Sequence, residues 1–165
     1  GIMPLTANAA VRRWAWRKYG GFRTDLDRRG DELLSGGDTE FYRRLVRAGE
    51  CVLYLPDVVV YHPALPERLT KRYMRRWHVH MGRSMVRMDG IPAGSVRWRG
   101  VPRYMFRELG ESAARYLLAG ATFRRDRRFY YELDVCRTLG RIRESRTGVL
   151  PQPPPAAEDP VRGPA

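Results

Sequence analysis

Ser35-Gly36-Gly37-Asp38-Thr39-Glu40-Phe41 is the stretch on which the reading of this chain turns. Two glycines let a second backbone or a ligand come close. Asp38 or Thr39 then serves as the N-cap of a helix. Within that helix Phe41, Leu45 and Ala48 share one face by helical spacing, while Arg43, Arg44 and Arg47 point elsewhere. Gly49 closes it.

Upstream, Pro4 to Val11 is short and apolar and reads as a strand. Arg12 to Tyr19 reads as a helix ended by Gly20-Gly21, since glycine accepts the left-handed conformation of a helix C-terminus. Asp25 to Gly37 is a polar loop. Downstream, Cys51 to Leu55 and Val58 to Tyr61 are β-rich runs about the turn pair Pro56-Asp57. Leu65 to Arg87, Val101 to Leu118 and Phe123 to Arg143 read as helices. This order predicts an α/β fold, with a partial sheet layer followed by C-terminal helices. Three regions result: 1–85, a helical extension 86–148, and a Pro-rich tail 149–165. The tail holds half of the chain's 12 prolines and is expected to be disordered.

The chain has 165 residues, enough for one domain with a core. Its net charge is +13, and the charge is concentrated. Residues 68–107 carry 11 basic groups against Asp89 alone, so +10 of the total lies there. Such a segment attracts phosphates, nucleic acid or an anionic membrane surface. Of the 31 basic residues, 29 are arginine, a bias that base composition also produces. Cys51 and Cys136 form no framework and read as reduced, buried thiols. No apolar run reaches the roughly 18 residues that span a membrane. Gly1-Ile2-Met3 is no signal peptide, and the short strand content suggests a fragment or processed product.

Three constellations carry chemistry. A carboxylate at a helix N-terminus is stabilised in its charged form, so Asp38 suits a base or a ligand orienter, with Glu40 in the first turn beside it. The plain alternative is a capping acid. His62 ends Val58-Val59-Val60-Tyr61, where α/β folds place ligand sites. Its imidazole suits a metal or a phosphate, though a lone histidine is more often a structural hydrogen-bonder. Arg68, Arg72, Arg75 and Arg76 form a basic helix face opposite Leu69, Tyr73 and Trp77. Arginines there could clamp a diphosphate, dock on a membrane or meet nucleic acid. A solvated face is the bland reading. No zinc signature, P-loop or GxGxxG occurs in the sequence.

Taken in order, Ala7-Asn8-Ala9-Ala10-Val11-Arg12-Arg13, Tyr19-Gly20-Gly21-Phe22, Gly36-Gly37-Asp38-Thr39-Glu40-Phe41-Tyr42-Arg43-Arg44-Leu45, Arg47-Ala48-Gly49, Tyr54-Leu55-Pro56-Asp57-Val58-Val59-Val60-Tyr61-His62 and Glu67-Arg68-Leu69 form a set. That set resembles the acceptor-side half of the family 2 glycosyltransferases, over residues 1–85. The resemblance implies a partial GT-A, Rossmann-like fold and inverting transfer of a sugar from a nucleotide-diphospho-sugar donor to a glycan or lipid-linked acceptor. It implies Asp38 as catalytic base and His62 at the metal or diphosphate site. Asn8, Gly20 and Gly21 fall on segments lining the cleft, and Gly37 and Glu40 are implied on the substrate side, Glu40 standing in for the acid that Gly37 replaces. Arg75-Arg76-Trp77 resembles the basic-plus-Trp motif near the diphosphate.

A divalent metal, Mg or Mn, is implied as cofactor, held mainly by residues outside this chain. Gly37 stands where the family carries a Glu. Asp25-Leu26-Asp27 formally fits the family's metal-binding DxD pattern but follows the Gly-Gly-Phe segment, which is the wrong place. The expected location is cytoplasmic, with peripheral contact on the inner face of the plasma membrane. The competing class is a non-catalytic basic module for anionic partners. Nucleic acid is not expected, because the basic strip also suits a diphosphate.

Overall fold

The computed structural model describes residues 6–148. Its described residues are mostly helical, 62%, with a single two-stranded ribbon. The α/β sheet layer expected from the sequence is therefore not formed by these residues. The predicted Pro-rich tail lies outside the described residues.

The elements are α1 (Arg13–Tyr19), α2 (Gly37–Arg47), α3 (Lys71–Asp89), β1 (Arg97–Trp98), β2 (Val101–Pro102), α4 (Arg103–Ala121) and α5 (Arg125–Arg146). Short 3-10 turns stand at Thr6–Asn8, Thr24–Leu26 and Pro66–Leu69. The first of these stands in the described part of the strand expected over Pro4 to Val11, whose first two residues lie outside the described residues. β1 and β2 pair antiparallel, Trp98 opposite Val101, across a turn where Arg99 and Gly100 take positive φ.

The larger correction concerns residues 51–61. Pro56-Asp57 does turn, with Val58 N–H donating to the Leu55 carbonyl at 3.2 Å. Yet the flanking runs form no ladder among the described residues, and every residue from 51 to 61 is exposed. Tyr54 is 88% exposed and Tyr61 93%. A strand needs a neighbouring backbone to pair with, and among the described residues none pairs with this run. β propensity was legible here, but the pairing was not. Cys51 is accordingly exposed, against the expectation of a buried thiol.

Two apolar clusters hold the helices. Ala15, Phe41, Tyr42 and Leu45 form the first, covered by Val11, Trp16, Tyr19 and Phe22. Trp16, Phe22 and Phe41 meet with ring centroids 5.0–5.4 Å apart, mostly edge to face, the favoured aromatic arrangement. Val86, Val101, Met105 and Ile142 form the second, joining α3, the ribbon, α4 and α5.

α3 starts at Thr70, whose hydroxyl accepts from Tyr73 N–H, and stops at Gly90, φ 71°. It runs unbroken through residue 85, and α5 lies along it. The approach is close because both helices carry glycine at the crossing. A Cβ built on Gly82 would lie 1.9 Å from the Arg137 carbonyl oxygen, and one on Gly140 would lie 2.0 Å from that of Val79. No side chain fits between these backbones.

A charged network then fastens the N-terminal loop to this helix pair. Glu144 is buried on α5 and accepts from Arg83 Nε at 2.7 Å and Arg87 Nε at 2.5 Å. Arg83 also reaches Glu32 at 2.6 Å, and Arg87 reaches the Asp25 carbonyl at 3.1 Å. Buried Arg23 binds Asp25 in a fork and donates to the Arg87 carbonyl. Ser35 N–H donates to Ser84 Oγ at 3.0 Å. These bonds position residues 23–37, which lead directly into α2.

Candidate functional site

The expected helix behind the Gly-Gly-Asp segment exists, shifted at its start. α2 begins at Gly37, and Gly36 is the residue before it, with φ 126°. That angle lies in the region L side chains avoid, so glycine is required at position 36. Asp38 is therefore in the first turn, not at the cap. Its Oδ1 accepts from Thr39 N–H at 2.7 Å, and the side chain is half-buried.

Gly37 is buried against another acid. A Cβ at position 37 would meet Asp27 Oδ1 at 3.0 Å. Asp27 thus stands in space beside the position where the resembling family carries its Glu. Partial burial raises the Asp27 carboxyl above the ordinary range; Arg29 opposes this, and the nearby charges of Asp25 and Asp38 add to the rise. The loop therefore brings a carboxylate from ten residues upstream against the start of α2. Nothing in the local pattern signals this, because it depends on the Arg23–Arg87–Glu144 network setting the loop's path.

Tyr42, one turn along α2 from Asp38, is buried, and its hydroxyl finds no hydrogen-bond partner among the described residues. Burial pushes this phenol up, and the Asp38 charge adds to it.

Glu40 stands in an ion pair along α2. Its two oxygens receive Arg44 Nε at 3.2 Å and Nη2 at 2.9 Å. Arg44 then donates to the carbonyls of Tyr19, Gly20 and Gly21. This fork clamps the Tyr19–Phe22 turn onto α2, so Glu40 is committed to an ion pair. The i,i+4 spacing of Glu40 and Arg44 is visible in the sequence and was the available signal. Gly20 takes φ 75° to make the turn, and a Cβ on Gly21 would strike Trp16 at 2.6 Å.

The remaining expected residues are dispersed. Asn8 donates to the Val58 carbonyl at 2.8 Å, tying the N-terminal turn to the extended run that leads to His62. His62 is exposed. Arg75 forms a fork with Glu132 of α5, and Arg76 pairs with Asp31 at 3.3 Å and with its carbonyl. Trp77 is half-buried and packs its ring edge to face on His78. The motif's arginines thus join α3 to α5 and to the loop. Among the described residues no group of three His, Cys, Asp or Glu side chains stands close enough to hold a metal ion. The residues here do not by themselves fit the implied Mg or Mn.

No family model, no curated protein and no solved structure matches the chain. The described helices include none long and apolar enough to cross a membrane.

Proposed function

We propose that this chain supplies the acceptor side of an inverting sugar transfer, with Asp38 as the base. The observation that carries the reading is the Asp27–Asp38 pair at the glycine-built start of α2. A half-buried carboxylate with a second acid beside it is a common arrangement for handling a hydroxyl proton. The reading rests on this site and on the ordered motifs, not on the fold.

In the reaction, an acceptor hydroxyl gives its proton to the Asp38 carboxylate. The freed oxygen lone pair forms the bond to the anomeric carbon. The bond from that carbon to the diphosphate breaks, and its electrons leave with the nucleoside diphosphate. Asp27, with its raised carboxyl, holds a proton to higher pH and is suited to hydrogen-bond the acceptor beside the base. The Arg44 clamp keeps the Gly20-Gly21 turn against α2 and so shapes the acceptor side. The donor and its divalent metal belong to a separate unit in this reading, working on the cytoplasmic side. The apolar run 51–61 is a suitable surface for that unit to abut.

The test is sugar transfer by this chain expressed with the sequence encoded upstream of Gly1. Asp38→Asn is expected to lower turnover by about 10²- to 10⁴-fold, the usual worth of a general base. Undiminished transfer by the variant would remove Asp38 as the base. A completed wild-type protein that transfers no sugar would reject the enzyme reading.

A further inference from the structure

The α4–α5 turn joins charge and apolar surface at one end of the helical hairpin. Thr122, Phe123 and Arg124 connect the helices. The turn is firmly built: Thr122 N–H and Oγ1 both donate to the Leu118 carbonyl, and Arg124 N–H donates to that of Ala119. Phe123 takes φ 55°, an unusual conformation for a bulky residue, and is 90% exposed. Leu117, Leu118 and Tyr130 flank it, each more than 60% exposed. A large aromatic held outward by a fixed turn, with two leucines beside it, is not explained by packing within the described residues.

Residues 115–130 contain five arginines, Arg115, Arg124, Arg125, Arg127 and Arg128, and one acid, Asp126. Arg124, Arg125 and Arg127 are exposed and form no ion pair among the described residues. Arg128 lies along α4, its guanidinium over the Tyr116 ring at 4.9 Å and bonded to the Tyr116 hydroxyl at 2.9 Å. Its charge therefore stays at the same tip.

We infer that this hairpin tip is a docking surface for an anionic lipid bilayer. Phe123, Leu117 and Leu118 enter the interface, and the arginines meet the acidic headgroups. Charge complementarity supports this occupant, since each cationic side chain near an anionic surface adds to the attraction. Aromatic and long aliphatic side chains flanked by arginine match the composition of segments that lie in a headgroup layer. Nucleic acid would use the same arginines but gives no site for two exposed leucines. The surface is separate from Asp38 and does not depend on the transferase reading.

The experiment is flotation of the whole chain with vesicles of phosphatidylcholine containing phosphatidylglycerol, against vesicles of phosphatidylcholine alone. Binding is expected only to the anionic vesicles, and to weaken with salt. Phe123→Ser should weaken it about tenfold, and the pair Arg124→Gln with Arg125→Gln by at least as much. The pair Arg13→Gln with Arg47→Gln removes equal charge elsewhere and should leave binding within about twofold. Matched thermal unfolding shows that each variant is folded.

Two results would overturn the inference. One is binding weakened equally by the distant pair and untouched by Phe123→Ser, which means diffuse charge attraction. The other is no vesicle binding alongside salt-sensitive binding to a duplex oligonucleotide, which assigns the arginines to nucleic acid.

Discussion

The helix crossing at Gly82 and Gly140 offers the sharpest test of this architecture, because the sign of the effect is at stake. In an open helix, Gly→Ala stabilises by about 1 kcal/mol through backbone entropy. At Gly82 the new methyl would lie 1.9 Å from the Arg137 carbonyl oxygen, whereas ordinary contact begins near 3.4 Å. The helices must then separate by about 1.5 Å at that point. A gap of 0.5–1 Å already forfeits roughly a quarter to a half of a contact's attraction, and overpacking costs about 1–3 kcal/mol or more. The opposing atom is backbone, so no rotamer change relieves the clash.

Gly82→Ala is therefore expected to destabilise by about 2 kcal/mol net, seen as a lower urea midpoint at unchanged slope. Gly140→Ala should behave alike. The double variant should cost less than the two single costs added, since the first separation already makes room for the second methyl. Gly110→Ala on α4 is the control: nothing stands within 4 Å of its Cβ position, so it should stabilise by about 1 kcal/mol. If Gly82→Ala stabilises as Gly110→Ala does, the close α3–α5 crossing is wrong.

Four further outcomes follow from the same geometry. Glu144→Gln leaves Arg83 and Arg87 sharing a neutral partner in a buried site, and should destabilise by about 3 kcal/mol in chemical unfolding. Tyr42→Phe removes a buried hydroxyl that has no partner among the described residues, so it should be neutral or stabilise by about 1 kcal/mol; a loss of that size would show the hydroxyl is bonded. Burial pushes the His80 imidazole down, with Arg83, and then Arg76 and Arg143, adding to the shift against Glu32. The unfolded chain thus takes this proton first, and stability should fall as pH drops through 6.5, a slope that His80→Gln should flatten in a pH series of thermal melts. Paired substitutions Tyr54→Lys and Val59→Lys, on the exposed run, should leave the melting temperature unchanged while lowering aggregation by light scattering; a lower melting temperature would show that the run packs internally.

Much of the local structure was legible. The glycine punctuation at Gly20 and Gly49 marks real helix ends, and the Pro56-Asp57 turn forms where composition put it. Phe41 and Leu45 are buried as their spacing implies, while Ala48, given the same face, is exposed beyond the end of α2. The strands failed because residues 51–61 show high β propensity whatever stands beside them, whereas a sheet exists only where another backbone pairs. Glu40 read as a site residue, and the structure places it in a fork with Arg44, which reaches the Gly20-Gly21 turn. Arg75 and Arg76 read as a ligand clamp, and the structure pairs them with Glu132 and Asp31, 57 and 45 residues away.

By itself the sequence determined the helices from α1 to α5, the glycine-led approach to Asp38 and the concentration of positive charge. These depend on near neighbours, through periodicity, capping and composition. Only the tertiary structure decided that Asp27 stands beside Gly37, that Gly82 and Gly140 face each other's helices, and that Glu144 gathers two arginines. Each of these joins residues far apart in the chain, and such contacts are fixed by packing and by the need to pair buried charge. The first glycines of the Asp38 stretch show both levels at once. Gly36 is required by its own backbone angle, and Gly37 by the carboxylate that a distant network brings against it.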